Sequence, residues 1–130
     1  MKNAYPILMN ANDGQIVVYV PDFEINTEGD SYADAMEMAR DAIGLVGITL
    51  EDEGRPLPSP RAMEEVDAEN GMVTLVDVDF TEYRRRHDMT CVRKNCTIPS
   101  WLNAEAERAG LNFSAVLQKG LKRELHLAES

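Results

Sequence analysis

The last 40 residues constrain the fold most. "VRKNCTI" (92–98) is a strand-like run closed by Pro99, and two short helical patterns follow it. One strand and two short helices bury too little apolar area to fold alone, so a tail of this size needs a disulfide, a metal or a partner chain. Cys91 and Cys96 lie five apart. On one strand they point to opposite faces, so they neither pair with each other nor share a metal, and Cys96 reads as a small buried apolar side chain. A partner chain remains. Period two puts Arg93, Asn95 and Thr97 on one face and Lys94, Cys96 and Ile98 on the other, with Cys96 and Ile98 inward. Pro99 and Ser100 open the first helix, which turns Leu102, Ala106 and Ala109 inward and stops at Gly110. Asn112 caps the second, whose apolar face carries Phe113, Val116, Leu117, Leu121 and Leu125.

Charge separates this tail from what precedes it. Residues 1–82 hold 18 Asp and Glu against 4 Lys and Arg, whereas residues 83–130 hold 5 against 9. Such asymmetry predicts two modules with different partners. The acidic part repels nucleic acid and attracts a basic protein, and the basic part alone can offset phosphate charge. No run approaches the roughly 18 to 20 apolar residues of a membrane span, and the N-terminus lacks the pattern of a secretory signal, which places the protein in the cytoplasm.

In the front part, residues 4–10 and 15–20 flank Asp13 and Gly14, the signature of a tight hairpin. Pro21 ends the second strand, and "FEINT" (23–27) reads as a short third. Ser31, with Asp34 three residues on, caps a helix whose inward face carries Tyr32, Ala35, Ala39, Ala42, Ile43 and Val46. Gly44 and Gly47 predict fraying or a break in its last turns, ahead of the proline-rich loop "EDEGRPLPSP". "MVTLVDVD" is a fourth strand, with Met72, Thr74, Val76 and Val78 on one face. The order β-β-β-α-β predicts an α+β domain over 1–81, its helix packed on a small antiparallel sheet. The polar "TEYRRRHDMT" reads as a linker over 82–90, its Arg84, Arg85 and Arg86 a solvated charge run with contact to phosphates as the alternative, and 91–130 is the second module. Asp77 and Asp79 are the wet face of a strand rather than a metal-holding pair. His87 and His126 have no partner at catalytic spacing. Neither a catalytic motif nor a cofactor motif is present, so no enzyme, metal or cofactor is expected.

Residues 91–127 resemble a ribbon-helix-helix DNA-binding module, in which two chains pair their strands into a ribbon that enters the major groove. The resemblance implies that Arg93, Asn95 and Thr97 read bases. It also implies that the amides of Asn112, Phe113 and Ser114 clamp a phosphate. Cys96, Ile98, Leu102, Phe113, Val116, Leu117 and Leu121 then form a dimer core. Lys94 stands where that family usually has an apolar side chain; its stem can lie across the ribbon edge while its ammonium reaches solvent or phosphate. "VPDFEINTEGDSYADAMEMARDAIGL" with the later "GRPLPSP" resembles the N-terminal domain of HicB antitoxins, which has a partial RNase H-like or double-stranded-RNA-binding-like topology. Together the resemblances imply a type II antitoxin that blocks a HicA-type, mRNA-cleaving toxin and, as a homodimer on operator double-stranded DNA, represses its own operon. Whether such dimers pair further into tetramers is left open by the residues. Two rival classes stand beside this: a stand-alone ribbon-helix-helix transcriptional regulator with an N-terminal sensing domain, and a nuclease using Asp77 and Asp79.

Overall fold

The computed structural model describes residues 1–88 and 90–127, and the chain divides into two compact units, Met1–Thr90 and Cys91–Ser130. In the first, β1 (Lys2–Asn12) and β2 (Gln15–Val20) form the hairpin, with Asp13 at φ 49° and Gly14 at φ 80°. Two successive left-handed residues make the turn whose twist matches the strands. β3 (Ile25–Gly29) starts two residues later than "FEINT" predicts, because Glu24, at φ 53°, is still in the turn. α1 (Tyr32–Asp52), β4 (Met72–Asp79) and α2 (Phe80–His87) complete the unit, with a short 3-10 turn at Met63–Glu65 before β4. The strand order is β3-β2-β1-β4, antiparallel throughout.

Pro6 sits in β1, between two neighbouring strands, where a proline normally removes a ladder bond. The register shows why it does not. Phe80 N donates to Met1 O (2.9 Å), so hydrogen-bonded pairs alternate from that point and Pro6 faces Leu75 in a pair that exchanges no such bonds. Its nitrogen points toward β2, whose pairing with β1 runs only from Asn12↔Gln15 to Leu8↔Tyr19.

Tyr5, Ile7 and Met9 of β1, Val18 and Val20 of β2, and Val76 and Val78 of β4 form the core with Ala35, Ala39 and Ile43 of α1. The small alanines let the helix approach the sheet closely. At its start Ser31 Oγ accepts from Asp34 N (3.1 Å) and Asp34 Oδ2 accepts from Asp30 N (2.9 Å). The first bond satisfies a first-turn helix donor, and the second ties the residue before the cap to the Asp34 carboxylate. Tyr32, expected on the inward face of the helix, is exposed, as is Met72 at the start of β4.

Two expectations are corrected. α1 runs unbroken through Gly44 and Gly47 to Asp52. The glycines are notches for α2: a Cβ at Gly44 would overlap the Tyr83 ring, and one at Gly47 the Phe80 ring. Packing thus offsets a propensity cost of about 1 kcal/mol per glycine. Residues 82–87, read as linker, belong to α2, capped by Asp79 Oδ1 accepting from Thr81 N (3.1 Å) and Glu82 N (3.2 Å). Met89 of that expected linker and residues 128–130 lie outside the described residues.

In the second unit α3 (Ser100–Arg108) ends at Gly110, φ 70°, and α4 (Phe113–Glu124) starts on Asn112, whose side chain accepts from Ala115 N (3.1 Å). The predicted strand at 92–98 is absent: residues 91–99 carry no regular structure. A strand persists through its ladder, and this stretch has no ladder partner within its own chain. Cys96, expected buried, is exposed, as are Ile98, Leu102, Phe113, Val116, Leu117 and Leu121. No described residue of this unit is buried.

Candidate protein and nucleic-acid interfaces

In the tail, the apolar face of α3 and α4 forms a groove lined by Leu102, Ala106, Phe113, Val116 and Leu117, together with Lys94, Cys96 and Ile98. Arg93, Asn95 and Thr97 are exposed and do not line it. Asn112, Phe113 and Ser114 stand at the start of α4, where first-turn amides have no acceptor four residues back. The Asn112 side chain is spent on the cap, which leaves the backbone amides as the donors at that end.

The first unit holds a polar cleft between α1, β4 and α2. Asp77 pairs with Arg40 (3.3 Å) and Lys2 (3.5 Å), and Arg40 Nε also donates to Asp77 O (3.0 Å). The Arg40 guanidinium first, then the backbone and Lys2, hold the Asp77 carboxyl below the usual range. Asp79 is the α2 cap. Both acids are therefore engaged in structure, and among the described residues no group of three or more His, Cys, Asp and Glu can hold a metal ion. The arginine run is likewise structural. Arg84 Nη2 donates to Ile48 O (3.2 Å) and pairs with Glu51 (3.3 Å), while Arg84 Nη1 pairs with Asp52 (3.0 Å). Arg85 and Arg86 pair with Glu82. His87 stacks on Tyr83 (ring centroids 4.0 Å apart), and Tyr83 Oη donates to Asp41 (3.1 Å). Burial, then Asp41, raises the Tyr83 hydroxyl above its ordinary value.

Sequence reasoning missed α2 and its clamp. The signal was present as Asp79 followed three residues later by Glu82, with Arg84 to His87 placed to complement the negative end of a helix dipole.

The family model described as "HicB_like antitoxin of bacterial toxin-antitoxin system" matches residues 5–119, most of both units. The chain belongs to this HicB-like antitoxin family. No curated protein matches this HicB-like chain. Among solved structures it is similar to the toxin-antitoxin complex from Streptococcus pneumoniae, with TM-score 0.62 and 24% identity over 95% of this chain and 99% of that one. It is also similar to the Burkholderia Pseudomallei antitoxin HicB, with TM-score 0.54 and 23% identity over 95% and 96%. A chain of the HicA3 and HicB3 toxin-antitoxin complex matches at TM-score 0.50 and 28% identity, over 59% of this chain and 99% of that one. At 24% and 23% identity, the first two speak for a shared fold. Among the described residues of this HicB-like protein, no helix is long and apolar enough to cross a membrane.

Proposed function

We propose that this HicB-like chain neutralises a small basic toxin of the HicA type by covering the toxin's RNA-binding surface with its acidic unit. Two copies pair through their tails into a ribbon-helix-helix dimer that binds operator DNA and represses the toxin-antitoxin operon. The observation that carries the second half is the uncovered tail. An apolar groove in a unit without a single buried described residue is half of a core, and a second copy supplies the other half. Pairing 92–98 with its symmetry mate completes the missing ladder and fixes Arg93, Asn95 and Thr97 on the outer face. Arg pairs bidentately with guanine and Asn with adenine, and each such contact contributes about 1 to 3 kcal/mol of discrimination. Lys94, with the Asn112, Phe113 and Ser114 amides, contacts phosphates and sets affinity.

Toxin inhibition in this reading involves no chemistry by the antitoxin. Residues 1–90 hold 19 acidic against 7 basic side chains, a field that steers a basic partner inward and occupies the surface that otherwise meets RNA. Family membership and the titles of the related complexes support it. The test is co-expression with the HicA-type toxin and mass measurement of the purified complex, followed by footprinting on the operon's upstream DNA. Arg93→Ala is expected to relax base preference, and a Lys94 change to weaken binding uniformly. A full chain that stays monomeric at micromolar concentration and leaves no footprint defeats the dimer reading.

A further inference from the structure

We infer that the toxin docks on the free outer edge of β4, at Val73 and Leu75, pairing its own backbone there and placing basic side chains over the acidic turn beside it. This rests on the toxin-binding reading and names the surface that performs it. β4 is the last strand of the sheet. The alternation fixed by the Phe80–Met1 bond makes Val73, Leu75 and Asp77 the residues whose N–H and C=O point away from β1. Arg40 already takes the Asp77 carbonyl, which confirms that phase and closes the lower end of the edge. Among the described residues no backbone hydrogen bond reaches the outward groups of Val73 and Leu75.

An open edge is a template that proteins normally blunt, and an edge left open is one a partner strand can extend. Here it is flanked by apolar surface: Leu75 is 46% exposed, Met72 49% and Met63 37%. The 3-10 turn carrying Glu64 and Glu65 packs against β4. Glu64, Glu65, Asp67 and Glu69 form no salt bridge among the described residues, whereas Asp22, Glu37, Glu51, Asp52, Asp77 and Glu82 are each paired with an arginine. Negative charge therefore stands beside this edge, with Glu65 close enough to Arg61 to interact with it. Glu24, Glu28 and Asp30 around β3 likewise form no salt bridge among the described residues, so the exposed apolar flank together with the charge distinguishes β4. That charge selects a basic occupant and disfavours a second copy, whose β4 would bring the same acids into apposition. The other edge, β3, is shorter and bears no exposed large apolar side chain, and the exposed Met38 and Leu45 of α1 lie on a helix with no open backbone groups.

The test uses the full chain and the co-expressed HicA-type toxin, with affinity measured at low and high salt. Glu64→Lys combined with Glu65→Lys is expected to weaken toxin binding about tenfold or more, with the loss shrinking at high salt. Leu75→Pro removes an outward N–H without touching the β1 ladder and should weaken binding at both salts, while Leu45→Lys leaves it unchanged. Circular dichroism and thermal melts confirm that each variant is folded, and the charge variants keep the test decisive should the proline fail to fold. Folded β4 variants that bind like the unaltered chain, or that shift only the mass of the free antitoxin, overturn this surface while leaving toxin binding intact. An unaltered chain that captures no toxin sinks both readings.

Discussion

Gly47 has no side chain because Phe80, almost fully buried, fills the space a Cβ would need. Gly47→Ala gains about 1 kcal/mol of helix propensity. It also overpacks a rigid ring, at a cost of about 1 to 3 kcal/mol. Net destabilisation is expected in urea unfolding, larger than for Gly44→Ala, whose neighbour Tyr83 is half-buried and can give way. Asp77 supplies a pH signature. Its folded carboxyl is held below the ordinary value by Arg40 and Lys2, so it contributes stability that is present above the unfolded value near 3.8 and is lost as pH falls through the folded one. Asp77→Asn should accordingly flatten the part of the acid-unfolding curve below about pH 4, a change read by fluorescence or circular dichroism.

At the level of elements, α2 is a helix only because its surroundings make it one. Eight residues are too few for independent helicity, and the segment holds through the Asp79 cap, the Arg84 clamp on the end of α1 and the Phe80 and Tyr83 rings in the glycine notches. Asp79→Ala should cost about 1 kcal/mol of unfolding free energy. The Asp79 cap is legible in the sequence, but the polar composition masks the helix because its Arg84 partners and glycine notches sit more than 30 positions away in α1. Residues 92–98 are the opposite case, with a strand pattern clear in "VRKNCTI" and no strand where the chain itself supplies no ladder partner; in the proposed dimer a second copy supplies it. Cys96 reports on that: thiol-reactive reagents should label it ever more slowly than Cys91 as protein concentration rises through the dimerisation range, and equal rates at all concentrations would count against pairing.

Over the whole molecule, charge organises function. Residues 1–90 carry 19 acidic and 7 basic side chains and residues 91–130 carry 4 and 6, a polarity that fits the proposed basic toxin at one end and DNA at the other. Toxin association should slow at least severalfold as ionic strength rises past the point where the Debye length falls below about 10 Å, measured by stopped-flow mixing. The hairpin at Asp13 and Gly14, the Ser31 cap, the alanine face of α1, and the Gly110 and Asn112 punctuation between α3 and α4 were all determined by the sequence itself. Each depends on φ/ψ preference, side-chain reach or periodicity within a few residues. The tertiary structure alone decided that α1 passes through two glycines, that Arg84 and two rings lock α2 onto α1, that Arg40 clamps Asp77, and which groups of β4 remain unpaired. Those outcomes depend on contacts between residues distant in the chain, where packing and register outweigh local propensity.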